Sequence, residues 1–248
     1  MREKIKDIAI VCGGNYNKIV KMLQRKVTVK PQKCTSNYVI YGEKEYPQCF
    51  YRLQYPPLVL FYYGKLELLN NNCIAVVGSR DCDDYSITQT RWLIESLGKQ
   101  TVVVSGLAKG IDTIAHQSSK QTVAILGCGI DRVYPACNRA LYEDIKKNHL
   151  LISEFPNDTK PLKYHFPWRN RLIAASSKRL FVMSASLKSG TMHTAHEAMK
   201  MDSELYCLPY PIDNVNGEGC HLLINEGATV LTKEVVMDMI KTREGEFG

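Results

Sequence analysis

A chain of 248 residues with 32 Lys and Arg against 25 Asp and Glu carries a formal charge of +7, a weak bias towards polyanions, because clustering of charge matters more than its sum. Its nine cysteines stand singly with no C-x-x-C pair, which argues against a disulfide framework or a zinc ribbon and for a reducing cytoplasm. No stretch approaches the roughly 18 apolar residues of a membrane span, the charged opening Met1 to Lys6 does not read as a signal peptide, and no fixed-period repeat points to a solenoid.

Residues 1–33 are basic and mixed, with an amphipathic helix expected from Asn17 to Gln24 that turns Ile19, Val20 and Leu23 inward. From Tyr38 to Leu69 the Tyr-Pro and Pro-Pro pairs forbid a continuous helix, and the stretch reads as an extended lead-in on a domain edge. After Asn70-Asn71-Asn72 a regular alternation begins. Strand Ile74–Val77 precedes a helix Asp84–Leu97 capped by Asp83 or Asp84, with Ile87, Thr90, Ile94 and Leu97 at helical spacing. Strand Thr101–Val104, helix Ile111–Ser118, strand Thr122–Leu126, helix Asn138–His149 and strand Leu150–Ser153 follow. A helix near Asn170–Ala175, strand Arg179–Ser184, helix Thr191–Met201, strand Glu204–Leu208 and a last helix-strand-helix over Leu222–Ile240 complete the pattern. The expected division is an N-terminal extension and lead-in over 1–69, one domain over 70–241 and a tail over 242–248.

Near-continuous apolar strands alternating with helices indicate an α/β, Rossmann-like fold: a mostly parallel sheet with helices on both faces, preceded by a short N-terminal extension. Ligands of such sheets bind beyond the carboxyl ends of the strands. Three stretches of small and basic residues stand there: Gly78-Ser79-Arg80, Ser105-Gly106-Leu107-Ala108-Lys109-Gly110-Ile111-Asp112, and Lys188-Ser189-Gly190-Thr191. Each opens a helix, so N–H groups, a helix N-terminus and a cation are expected to converge on an anion, and phosphate suits that geometry. Gly106 and Gly110 lack the Cβ atoms that would block close approach, Ser105 offers a hydroxyl and Lys109 a point charge. Asp112 reads as structural, complementing the dipole of its helix. Taken alone, this turn would serve equally as a tight connection without ligand. A second constellation, Lys163, Phe166, Arg169, Asn170 and Arg171, sets guanidinium groups beside aromatic rings, as a nucleic acid strand requires. One of its aromatics and one arginine are also expected to serve the core, with Glu154 as an acid partner.

Other chemistries fit less well. No strand-to-helix turn carries G-x-G-x-x-G, which disfavours a dinucleotide oxidoreductase. His193 and His196 lack an H-E-x-x-H setting and a third ligand, so no metal and no cofactor are expected. Nor does G-x-S-x-G occur, and no cysteine reads as paired with a histidine in a nucleophile's setting, so no nucleophile is expected.

Taken in order, Tyr46-Pro47, Pro56-Pro57-Leu58-Val59-Leu60, Ile74 to Arg80, Ser105 to Asp112, Gly127 to Asp131, Tyr134-Pro135, Asn138, Ser153-Glu154, Phe166 to Ile173, Ser189-Gly190, Thr194-Ala195 and Leu222-Leu223-Ile224 before Gly227-Ala228 resemble the DprA/Smf family of DNA-processing proteins over about residues 40–231. The resemblance implies an extended Rossmann domain that binds single-stranded DNA in a basic pocket, acts as a homodimer in the bacterial cytoplasm, and helps load the recombinase RecA during natural transformation. On this reading Arg80, Lys109, Lys163, Phe166, Asn170 and Arg171 are phosphate and stacking contacts, and Ser189, Gly190 and Thr191 complete the pocket. Leu107 replaces a residue commonly Gly in the family and would lie near a backbone that the DNA approaches; Leu208-Pro209-Tyr210 replaces a usual Pro-Gly. Family members often add a helical N-terminal domain and a C-terminal winged helix, and this sequence is expected to carry neither in full. The alternative is a nucleoside-monophosphate phosphoribohydrolase or another nucleotide-sensing Rossmann protein. Thr194, however, stands where that hydrolase signature has its Glu, and a hydroxyl cannot replace the carboxylate.

Overall fold

The computed structural model describes residues 1–246, with side chains as far as Thr242. Its first element, α1 (Arg2–Val11), is concealed in the sequence by its charges, yet Ile8 and Ala9 are fully buried. α2 (Tyr16–Gln24) starts one residue before the expected Asn17, because the Asn15 side chain caps it by accepting from the Lys18 N–H at 3.0 Å. Ile19 is buried and Leu23 half-buried, as the amphipathic pattern predicts. The lead-in supplies two short strands, β1 (Asn37–Ile40) and β2 (Val59–Gly64), and its prolines are confined to the connection between them.

β3 (Cys73–Val77) leads through the Gly78 turn into α3 (Asp84–Leu97), with Asp83 as N-cap accepting from the Ser86 N–H at 2.8 Å. β4 (Val102–Ser105), α4 (Ile111–Ser118), β5 (Gln121–Leu126), α5 (Arg139–Asn148) and β6 (Leu150–Ser153) lie within one residue of their expected bounds. α6 (His165–Ala175) begins five residues earlier than expected. Pro167 stands in its first turn, where a missing N–H costs no helical hydrogen bond. β7 (Arg179–Val182), α7 (Gly190–Met199), β8 (Glu204–Cys207), α8 (Glu218–Asn225), β9 (Thr229–Val230) and α9 (Lys233–Glu246) follow. The tail expected from 242 continues α9 to Glu246, and its last two residues lie outside the described residues.

The described strands form one sheet in the order β1-β2-β6-β5-β4-β3-β7-β8-β9. β1, β2 and β6 pair antiparallel, and every other pairing is parallel. The lead-in therefore adds two antiparallel strands to the parallel sheet. Ala75 of β3 pairs with Val104 on one side and Leu180 on the other. From β3 the chain winds outward through β4, β5 and β6, then returns to β3's other side as β7. That reversal opens a crevice at the strand ends. Alternate side chains of β5 and β6 divide between two apolar clusters, Val123, Ile125, Leu150 and Ile152 in one and Ala124, Leu126 and Leu151 in the other, so both sheet faces are covered. No helix among the described residues is long and apolar enough to cross a membrane.

Leu107, in the turn after β4, turns its side chain into the core. Its backbone is left-handed with φ 57°, and its side chain is fully buried in the second cluster beside Leu126, Ile130 and Tyr142. Packing therefore holds a residue in a conformation that favours glycine. Leu107→Ala is expected to lower the unfolding free energy by about 2–5 kcal/mol, while Leu107→Gly should equal it or be up to about 1 kcal/mol more stable, reversing the usual order of the two residues. Urea unfolding of both variants checks this; a glycine variant clearly the weaker would contradict it.

Candidate nucleic-acid interface

The adjacency of β4, β3 and β7 brings the three small-residue turns together. Gly110, at φ 74°, lies so close to the β3 turn that a Cβ there would stand 2.2 Å from the Ser79 carbonyl oxygen and 2.7 Å from that of Arg80. The Ile111 N–H donates to the same Ser79 carbonyl at 3.2 Å. Gly110 thus joins the β3 and β4 turns to each other, where the sequence suggests close approach of a ligand. Gly106 is occupied in a similar way, because its missing Cβ leaves the space that the Arg169 guanidinium fills, with Nη1 2.4 Å from the would-be atom.

Much of the β4 turn is hydrogen-bonded internally. The Gly106 and Ala108 N–H groups both donate to Asp112 Oδ2 at 3.2 Å, and the Leu107 N–H donates to His116 Nε2 at 3.3 Å. These amides are therefore not offered to a phosphate. Asp112 is structural, as expected, but it serves the turn ahead of its helix. Ser105 is fully buried and donates to the Val76 carbonyl at 2.7 Å, so its hydroxyl ties β4 to β3. Arg169 is buried too: Nη1 donates to the carbonyls of Gly106 and Ile125, and Nε donates to Asn170 Oδ1 at 3.1 Å. Burial pushes its guanidinium down and the Asp112 charge opposes that shift. Burial likewise raises the Asp112 carboxyl, against the pull of Arg169 and of the turn amides.

What remains open lies around two adjoining cavities. One, of about 410 Å³, is lined by Gly78, Ser79, Arg80, Phe166, Asn170, Ser189, Gly190, Thr191 and Thr194, together with Asp81 and Asp112. The other, of about 230 Å³, is lined by Gly106, Lys109, Gly127, Cys128, Tyr134 and Pro135. Arg80, Ala108, Phe166 and Arg169 line both. Arg80 is exposed, with its guanidinium 5.8 Å from the Phe166 ring centre, and Tyr134 meets that ring at 5.5 Å. The N-terminus of α7 enters the larger cavity. No side chain caps it, a Cβ on Gly190 would meet nothing within 4 Å, and the buried Ser189 Oγ has no hydrogen-bond partner among the described residues. Asn170 fixes this terminus by donating to the Gly190 carbonyl at 3.0 Å. The first N–H groups of a helix lack intrahelical acceptors and carry positive potential, so this end together with Arg80 suits an anion.

Four sequence-assigned residues line neither cavity: Ser105 and Gly110, spent on joining the turns as described above, and Lys163 and Arg171. Lys163 is exposed ahead of α6 and lines neither cavity. Arg171 turns away from both: its Nη2 donates to the two oxygens of buried Glu154 at 2.6 Å, and its guanidinium lies 4.2 Å from the Trp168 ring centre. A buried carboxylate demands a counter-charge, so Arg171, like Arg169, is committed to the core. Sequence reasoning leaves Tyr134 and the Gly127-Cys128 turn out of the site. The signal was present, since Gly127 directly follows a strand whose carboxyl end faces the same rim; its missing Cβ makes room for Phe166, at 2.7 Å. Among the described residues no group of three His, Cys, Asp or Glu could hold a metal.

Comparison with known proteins gives the chain's relatives. The family model for DNA recombination-mediator protein A matches residues 37–242. DNA processing protein DprA of Streptococcus pneumoniae is 40% identical over 191 residues, covering 75% of this chain and 68% of that protein. Its X-ray structure superposes with a TM-score of 0.79 at 34% identity, covering 90% of this chain and 76% of that one. Protein Smf of Synechocystis is 34% identical, covering 93% of this chain and 63% of its own length. This chain thus spans about two thirds of these curated relatives. DNA processing protein A from Helicobacter pylori, a protein described for its unique single-stranded DNA binding mode, superposes with a TM-score of 0.75 at 31% identity, covering 87% of this chain and 99% of that one.

The turn beneath the site rests on a neutral histidine. His116 accepts from Leu107, so its proton sits on Nδ1, which donates to Thr122 Oγ1 at 2.6 Å. Burial, with Arg169 and His149 adding to it, lowers its pKa to about 3. Below the ordinary value of 6.5 the unfolded chain binds a proton that the folded chain refuses, so stability falls as pH drops from 6.5 towards 3, by at most about 1.4 kcal/mol per pH unit. His116→Gln should remove that component. The difference between the two stability curves is expected to vary with pH over this window and to flatten above it, and a constant difference in urea unfolding would contradict the assignment.

Proposed function

The chain belongs to the family of DNA recombination-mediator protein A, and from that premise we propose that it binds single-stranded DNA, without sequence preference and without catalysis, along the cleft between β3, β4 and β7. The observation that carries this reading is the convergence on one cleft of an uncapped helix N-terminus, the exposed Arg80 and the Phe166 ring. Phosphate neutralisation together with a stacking surface suits an unpaired strand, because a duplex keeps its base faces stacked on one another. The single-strand binding described for the Helicobacter pylori relative supports the same choice.

In this reading Arg80, Lys109, Ser189, Gly190 and Thr191 contact phosphates, Phe166 stacks on a base, and Arg169 contributes its fixed charge from beneath. Gly78, Ser79, Gly110 and Asn170 position the contacts. Lys163 flanks the cleft. Thr194 supports a binder over a phosphoribohydrolase, because its hydroxyl is turned back on the helix and donates to the Gly190 carbonyl at 3.3 Å. On family membership alone we extend the reading to a cytoplasmic homodimer that hands the strand to RecA in recombination and natural transformation.

Arg80→Ala is expected to weaken binding of oligo-dT and to lower the salt slope by about 0.7, the contribution of one phosphate contact to a single strand. Anisotropy titration over a range of salt concentrations measures both, and an unchanged titration removes Arg80 from the site. Incubation with AMP should release no free base; steady release would favour the hydrolase.

A further inference from the structure

Beyond the first turn of α6 lies another groove, of about 580 Å³. Pro167 lines both it and the larger cavity of the cleft, so the two meet across that proline. The groove is lined by Arg52, Tyr55, Tyr164, Trp168, Arg171 and Lys200. Trp168 is held in place by Arg171 over its face, with Tyr55 and Tyr16 at 6.2 and 6.1 Å between ring centres. Arg52 is anchored through Nη2 to the Met201 carbonyl and Ser203 Oγ at 2.7 Å. Tyr164 is left 63% exposed, and Lys200 reaches solvent with its ammonium 2.7 Å from Glu197, which also lines the groove.

Cations and accessible rings together line a groove that adjoins the proposed phosphate-binding cleft, and so repeat the chemistry of the cleft itself. An acidic peptide would use the cations and leave the rings idle; an unpaired strand uses both. We propose that this groove is a second stretch of the same track, taking the nucleotides beyond those held in the cleft, with a base on Tyr164 or Tyr55 and a phosphate at Lys200. The proposal rests on the single-strand reading above. Glu197 acts against it as a brake, since it pairs with Lys200 and adds a negative charge beside the phosphate path.

The test is anisotropy titration with dT6, short enough for the cleft alone, and dT20. Tyr164→Ala and Lys200→Ala should each weaken dT20, the tyrosine change by at least about 5-fold, and leave dT6 unchanged, while Glu197→Gln should strengthen dT20 only. In a Trp92→Phe background, dT20 should quench the remaining Trp168 emission and dT6 should not. If the wild type binds both lengths and the variants match it, or lose both lengths equally, the groove is not part of the track and the cleft reading stands. If the wild type binds neither length, both readings fall.

Discussion

A single buried charge organises the carboxyl end of the sheet. The Arg169 guanidinium occupies the space of the missing Gly106 side chain and holds the carbonyls of Gly106 and Ile125, so α6 is fastened to the β4 and β5 turns at once. A buried charge is tolerated only when paired and hydrogen-bonded. Asp112 supplies the opposite charge while binding two amides of the same turn. From this anchor follow the seat of Phe166 over Gly127 and the reach of Asn170 to the start of α7.

The molecule therefore uses its cations in two distinct ways. Arg169, on the carbonyls of Gly106 and Ile125, and Arg171, on Glu154, are buried and shape the scaffold. Arg80, Lys109 and Lys163 are exposed. Two of these three line the cavities. The amides divide in the same manner: those of the β4 turn are consumed by Asp112 and His116, while the start of α7 is left uncapped. An anion would find the second set.

Much of the architecture was legible in the sequence because apolar strands and helical spacing are local signals. The bounds of α4 and β6 and the Asp83 cap of α3 follow from them directly. The early start of α6 was hidden by Pro167, whose tolerance depends on where in the first turn it falls. α1 was hidden by its charges, although two of its residues are fully buried. The site was legible at the level of turns and opaque at the level of atoms. That glycines, an arginine and a buried leucine at φ 57° serve packing depends on which groups meet across the sheet, and no spacing along the chain encodes that.

In the proposed function, positive groups and an aromatic surface cooperate in one cleft to hold an unpaired strand. Anisotropy titration of the wild-type chain with matched single-stranded and duplex oligonucleotides, at about 50 and 200 mM salt, tests that most directly. Tighter binding of the single strand at both concentrations, weakened by the added salt, is the predicted result. Equal affinity for the duplex, or binding indifferent to salt, would contradict it.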